Sequence, residues 1–221
     1  MKRHKLTALI VTTYIGFIAM AHASAPKPVF SPEQEARIGE IAADYLVSHP
    51  EILVTVSHKL QEQQEVRKQK MFALSVMENQ ANLLHDPDTP AYGPENAKVA
   101  EIEFFDYQCV FCNRFAPELE KVMKAQPDVR YLFKEWPIFG GRWEASLQAA
   151  QQGLTVWQKK GPQAYVTYHN AIYATGHNEG KLTVEDIHGA ASKAGLAAPA
   201  PGDHTASLEK NSNLAEALGL T

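Results

Sequence analysis

Cysteine is nearly absent from this chain: 221 residues contain two, Cys109 and Cys112. So few exclude a disulfide-stapled scaffold, and a bridge across so short a loop constrains the unfolded chain too little to exist for stability. Excess basic charge is lacking too. With a net charge of −4, nothing favours nucleic acid or an anionic membrane surface as the main partner. Beyond Met20, no hydrophobic run approaches the roughly 20 residues of a membrane span. Repeats and low-complexity segments are missing. The nine histidines are scattered and no second cysteine pair exists, so zinc, which takes about four ligands, has too few donors. What is present is a globular composition, 45% apolar and 21% charged, with length for one ordinary domain and an appendage.

The N-terminus reads as a targeting segment. Lys2, Arg3, His4 and Lys5 form a basic start, Leu6 to Met20 is mostly apolar, and Ala21-His22-Ala23 has the small-x-small pattern. Residues 1–23 are therefore assigned as a signal peptide cut after Ala23. The mature protein is expected in an exported compartment where disulfides form.

Residues 24–88 read as an N-terminal helical region. Ser31-Pro32-Glu33 is a helix start, with Ser as cap, Pro first in the helix and acids following. After Pro50 a long helix is expected, to about Leu84. Its apolar residues, Ile52, Leu53, Val56 and Leu60, then Val66, Met71, Leu74 and Met77, are interrupted by Gln61 to Glu65 and by Arg67 to Lys70. That is too little apolar surface for a helix to fold alone, so it must pack on another element or on a second copy. Self-association is the reading favoured here.

His85 to Pro90 breaks the helix, and residues 89–221 read as the second domain. Ala91 to Ala97 reads as a turn. Val99 to Phe105 is a strand whose near-continuous apolar character suggests the middle of a sheet. A helix from about Asn113 to Lys124, kinked at Pro117, and a strand from Val129 to Trp136 follow. A helical block over about 142–218 has breaks near Gly161-Pro162 and Gly176 to Gly180, and a capped start at Thr183 to Asp186. Strand, helix, strand implies parallel pairing and a right-handed crossover.

Cys109-Val110-Phe111-Cys112 lies where the first of these strands passes into a helix. Unpaired N–H groups and the helix dipole there stabilise a thiolate, the reactive form of cysteine. Cys109 is the candidate nucleophile and Cys112 the resolving thiol. Capture of copper(I) by the two thiolates is the alternative chemistry. Glu103 lies on the buried strand, where an acid needs a partner or a task. It is either a proton relay beneath the thiols or a paired carboxylate, with Lys134 on the neighbouring strand as candidate partner. Phe111 is the candidate apolar contact for unfolded clients, while Asp106 and Tyr107 read as turn and packing residues.

Glu103-Phe-Phe-Asp-Tyr-Gln-Cys-Val-Phe-Cys112, with Phe133-Lys-Glu-Trp-Pro-Ile138 downstream, resembles the DsbA-like branch of the thioredoxin superfamily. Phe30 to Gln34 and Asp86 to Pro90 resemble its subgroup with an N-terminal helical oligomerisation region, which includes the ScsC-like proteins and periplasmic disulfide isomerases. The resemblance implies an α/β, thioredoxin-like fold with a helical insertion, a periplasmic setting and no cofactor. It places the nucleophile at Cys109, the resolving thiol at Cys112 and the buried acid at Glu103. Implied partners are unfolded or misoxidised exported proteins, a membrane redox protein of DsbD-like or DsbB-like type, and further copies of the chain. Oligomeric members tend to be isomerases or reductases, and monomeric ones oxidases.

Two departures from the family pattern set further expectations. The dipeptide Val110-Phe111 places no histidine beside the thiolate, which predicts a pair less oxidising than in the strongest DsbA oxidases. The family also continues into a cis-proline segment, two strands and a closing helix, whereas here no proline follows Pro201. The expectation is a fold lacking those final elements, with an unpaired edge on the strand bearing Glu103, weak client binding and low stability. A non-catalytic remnant keeping the association module is the further alternative.

Overall fold

Ser31 starts the first helix as its side chain dictates. Its hydroxyl accepts the Gln34 N–H while the Gln34 side chain accepts the Ser31 N–H, and Pro32 takes the first helical position. The computed structural model describes residues 29–197 and 201–220, so the signal-peptide assignment lies outside the described residues. The chain divides into two compact units, one running to Leu60 and the other over Gln61–Thr221. Among the described residues no helix is long and apolar enough to cross a membrane.

The first unit holds α1 (Pro32–Ser48) and the start of α2 (Glu51–Glu78). Neither helix buries a residue. Ile38, Ile41 and Tyr45 on α1, and Leu53, Val56 and Leu60 on α2, recur at helical spacing and remain largely exposed. The continuous helix expected to Leu84 stops at Glu78, and α3 (Gln80–Leu84) follows. The break is at Asn79, whose side-chain amide donates to Ser75 O, a local bond that competes with the helical backbone.

In the second unit, β1 (Ala91–Tyr92), β2 (Ala100–Phe105) and β3 (Arg130–Glu135) form one sheet in the order β1-β3-β2. β1 pairs antiparallel with β3, and β2 pairs parallel with it. The turn expected over 91–97 thus begins with a strand, too short for alternation to reveal. The turn itself is real: Gly93 has φ 94°, and a Cβ there would run into Val129 O. The central place expected for β2 belongs instead to β3, and no second described strand pairs with β2. β2 reads as apolar because helices cover both of its faces, which does not require strands on both sides.

Helices α4 (Val110–Ala125), α5 (Glu144–Lys160), α6 (Pro162–Tyr173), α7 (Val184–Lys193) and α8 (Thr205–Ala217) complete the unit. The capped start expected at Thr183 is present, and Asp186 closes it into a capping box. On one sheet face Phe105, Tyr131 and Phe133 pack with Ala116, Leu119 and Met123 of α4 and with Tyr165, Tyr168 and Ile172 of α6. On the other, Ile102 and Phe104 pack with Leu83 of α3 and Leu214 and Leu218 at the end of α8.

Candidate active site

β2 ends at Phe105, and Asp106 turns the chain into α4. The Asp106 carboxylate accepts N–H bonds from Gln108 and Phe139, at 2.7 and 2.9 Å, and the Ser146 hydroxyl at 2.7 Å. One buried side chain therefore fixes the redox turn, the loop after β3 and the start of α5. Gln108 ties the turn to the loop between α6 and α7: its carbonyl accepts Glu179 N–H and its side-chain oxygen accepts Gly180 N–H. Gly180 is itself constrained, at φ 91° with a Cβ position 2.7 Å from the Trp143 ring nitrogen. The sequence assigns Asp106 a turn role, which its bond from Gln108 N–H fills, but gives no sign of its bonds to Phe139 and Ser146 or of any role for Gln108, whose partners Glu179 and Gly180 lie some seventy residues away.

Cys109 caps α4, and its Sγ accepts the Cys112 N–H at 3.4 Å. Both cysteines are free and half-buried, so the cap rather than exposure distinguishes them. Burial pushes the Cys112 thiol up to about 12, and the Cys109 sulfur and the Glu103 charge push the same way. Val110 is half-buried, whereas Phe111 is 72% exposed with the Arg114 guanidinium 5.9 Å from its ring centre. Among the described residues no group of three or more His, Cys, Asp or Glu side chains is arranged to hold a metal ion.

Glu103 is buried beneath the pair, but Lys134 is not beside it. Glu103 is in register with Phe133, and Lys134 with Phe104. Side chains alternate across a sheet, so Glu103 and Lys134 occupy opposite faces and the expected pairing is corrected. The Lys134 ammonium donates to Asn82 O at 2.8 Å and Thr89 Oγ1 at 2.5 Å, and lies 3.4 Å from Asp86 Oδ2. On the Glu103 face the neighbouring titratable group is His169 of α6, with Nε2 3.8 Å from Glu103 Oε2. Glu135 is fully buried and accepts hydroxyl bonds from Tyr107 and Tyr165, at 3.0 and 2.7 Å. Sequence reasoning missed Glu135 and His169. The motif quoted above contains Glu135, but nothing local marks His169.

Burial, reinforced by Glu101, pushes Glu103 up to about 8. Burial holds His169 down at about 4. Between those values both are neutral, so their proximity is not an ion pair. A carboxyl raised on folding contributes stability fully present below its unfolded value of 4.5 and lost as pH rises towards 8. A histidine depressed on folding contributes the reverse, present above 6.5 and lost as pH falls towards 4. Above 6.5 only the carboxyl term still changes. Glu103→Gln is therefore expected to remove about 1.4 kcal/mol per pH unit of the fall in stability between about pH 6.5 and 8. Urea unfolding across that range checks this, and an unchanged slope would show that Glu103 ionises normally.

A strand running into a helix capped by one cysteine, with a second half-buried one turn on and a buried carboxyl on the strand, defines a thioredoxin-like thiol–disulfide oxidoreductase. Comparison with curated proteins gives no match. The thioredoxin family model matches residues 85–221, and that of the copper resistance protein ScsC N-terminal domain matches residues 34–66. The chain belongs to the thioredoxin family, with the ScsC-type N-terminal region. BcfH of Salmonella enterica Typhimurium is 37% identical over 85% of this chain and 80% of its own, with TM-score 0.73. ScsC of Proteus mirabilis in a compact conformation is 28% identical over 84% and 90%, with TM-score 0.60. A periplasmic thioredoxin-like protein of Salmonella enterica serovar Typhimurium is 29% identical over 64% and 78%, with TM-score 0.57.

Proposed function

We propose that the chain exchanges disulfides with exported proteins in the periplasm through Cys109 and Cys112, acting as an isomerase or reductase. The observation that carries this reading is the asymmetry of the pair. Cys109 Sγ lies at the N-terminus of α4 and accepts the Cys112 N–H. Cys112 is held protonated by burial. One thiol attacks a client disulfide and the other waits to resolve the adduct. Phe111, exposed between them, offers unfolded clients an apolar contact. The periplasmic setting is supported by the leader over residues 1–23 and by the periplasmic thioredoxin-like protein that the chain resembles.

The isomerase or reductase direction is tied to association. α1 and α2 bury nothing while carrying apolar stripes, and a second copy covering those stripes would remove them from water. Copper(I) capture by the two thiolates is a second reading, favoured by the description of the N-terminal family as a copper resistance protein. One experiment separates the readings: reactivation of scrambled ribonuclease and oxidation of reduced ribonuclease, each with and without Cu(I), beside the molar mass in solution. Metal-independent reactivation by an oligomer is expected. In the variant Ile41→Asp/Leu53→Asp, a monomer with diminished reactivation is expected. Inactivity without copper, together with tight Cu(I) binding, would overturn the redox reading.

A further inference from the structure

Glu179, between α6 and α7, has φ 51°, and among the described residues it is the one non-glycine residue with a positive φ. A Cβ in that region crowds the backbone, and glycine is the usual occupant. Gly180 follows at φ 91°. Two successive left-handed residues turn consecutive N–H groups onto Gln108. Glu179 N–H donates to its carbonyl at 3.0 Å, and Gly180 N–H donates to its side-chain oxygen at 2.8 Å. Gln108 is 1% exposed and directly precedes Cys109. Both bonds come from the backbone, so glycine at position 179 would make them with less strain. What glutamate adds is a carboxylate, and a strained residue beside a reactive group points to a task for its side chain.

That carboxylate is placed to meet a client. Glu179 is exposed, and its side chain makes no hydrogen bond or ion pair among the described residues. The neighbouring acids are already engaged. Asp106 is buried and bonded to Gln108, Phe139 and Ser146, and Asp186 is bonded to His177 and Thr183. Of the cations, Arg142 lies 4.6 Å from the centre of the Trp143 ring, and Lys181 follows beyond Gly180. A chain arriving at Cys109 therefore meets Phe111 and Arg114 on α4 and the free Glu179 carboxylate on the α6–α7 loop.

We infer that Glu179 is a specificity-determining residue: its carboxylate selects client disulfides whose cysteines are flanked by lysine or arginine and disfavours those flanked by acids. The inference rests on the thiol–disulfide reading. In the first attack the Cys109 thiolate forms a bond to one client sulfur, the client S–S bond breaks, and the second client sulfur leaves as a thiolate. A basic residue beside the attacked cysteine pairs with Glu179 as the new bond forms, and an acidic residue there is repelled. The strained turn serves this by holding the carboxylate against the redox turn through Gln108.

The test mixes the reduced full chain with model peptide disulfides that differ only in the residues flanking cysteine: lysine, glutamine or glutamate. The rate of mixed-disulfide formation is read for each and divided by its rate with mercaptoethanol, an uncharged thiol that reports the peptide's own reactivity. At low ionic strength wild type is expected to favour the lysine peptide over the glutamate peptide about fivefold, the size of effect that exposed charge pairs supply. At about 1 M salt, where screening acts within about 3 Å, the preference should vanish. Glu179→Gln is expected to abolish it, and Glu179→Lys to invert it. Glu179→Gly keeps both backbone bonds to Gln108 and should lose the preference equally, which separates the carboxylate from the turn. Glu95→Gln removes the same charge at a distant cleft lined by Ala100 and Arg130, and should retain the wild-type preference. Equal losses in Glu179→Gln and Glu95→Gln would assign the effect to net charge and overturn the inference. A preference that survives Glu179→Gln or Glu179→Gly overturns it as well. Wild type that reacts with none of the peptides overturns the functional reading and the inference together, whereas wild type that reacts with all three alike overturns the inference alone.

Discussion

Cys112→Ser is expected to leave the protein covalently joined to its clients. Cys109 would still attack a client disulfide, since its position as the cap of α4 and its bond from the residue-112 N–H do not depend on the side chain that follows. The serine hydroxyl cannot then displace the client sulfur, so the mixed disulfide persists until an external thiol removes it. Cys109→Ser should form no adduct and lose exchange activity on the order of 10³-fold or more, as expected when a nucleophile is removed. Non-reducing gels and intact-mass measurement distinguish the two variants. The assignment would be reversed if Cys109→Ser were the variant that accumulates adducts. The asymmetry has a physical origin: the half-buried Cys112 thiol is pushed up to about 12 by desolvation, so at neutral pH it does not compete for the first attack.

Asp86→Ala is expected to destabilise the second unit by about 3–5 kcal/mol, the cost of leaving one partner of a buried charge pair alone. Asp86 and Lys134 have side-chain exposures of 3% and 0%. The Asp86 carboxylate also takes Lys210 of α8 at 2.7 Å and the Thr89 hydroxyl at 3.1 Å. It therefore joins the segment after α3, the central strand and α8. Removing it strands the Lys134 ammonium with only Asn82 O and Thr89 Oγ1 to receive its protons. Lys134→Met should cost less, because Asp86 keeps Lys210. The double variant Lys134→Met/Asp86→Ala should recover part of the loss, since no buried charge then remains unpaired. Guanidinium unfolding measures all three. A loss below about 1 kcal/mol for Asp86→Ala would show that Lys134 is adequately satisfied by the neutral oxygens. Against a typical domain stability of about 5–15 kcal/mol, the expected loss would deplete much of the folding margin.

The two cysteines and their place at a strand-to-helix junction were legible because that chemistry is local: sequence neighbours are spatial neighbours within one helical turn. The capped helix starts at Ser31 and Thr183 were legible for the same reason. Asp106 was half-legible and Gln108 was not legible. The turn at Asp106 follows from the sequence, but the bonds of the two residues to Ser146, Phe139, Glu179 and Gly180 do not. Lys134 was placed with Glu103 because both lie on neighbouring strands. A pairing register is not visible in either strand alone, and a shift of one residue moves a side chain to the opposite face.

By itself, then, the sequence determined the place of the cysteine pair at a helix N-terminus, the order of strand, helix and strand, and the capped starts of α1 and α7. Each follows from interactions within a few residues or from a period set by backbone geometry. Tertiary structure alone decided that β3 rather than β2 is central, that Lys134 belongs to Asp86, and that His169 rather than Lys134 stands beside Glu103. Those outcomes depend on which face of the sheet each helix covers. Burial then sets the charge of every group on that face, because a carboxyl and an imidazole removed from water are both driven to their neutral forms.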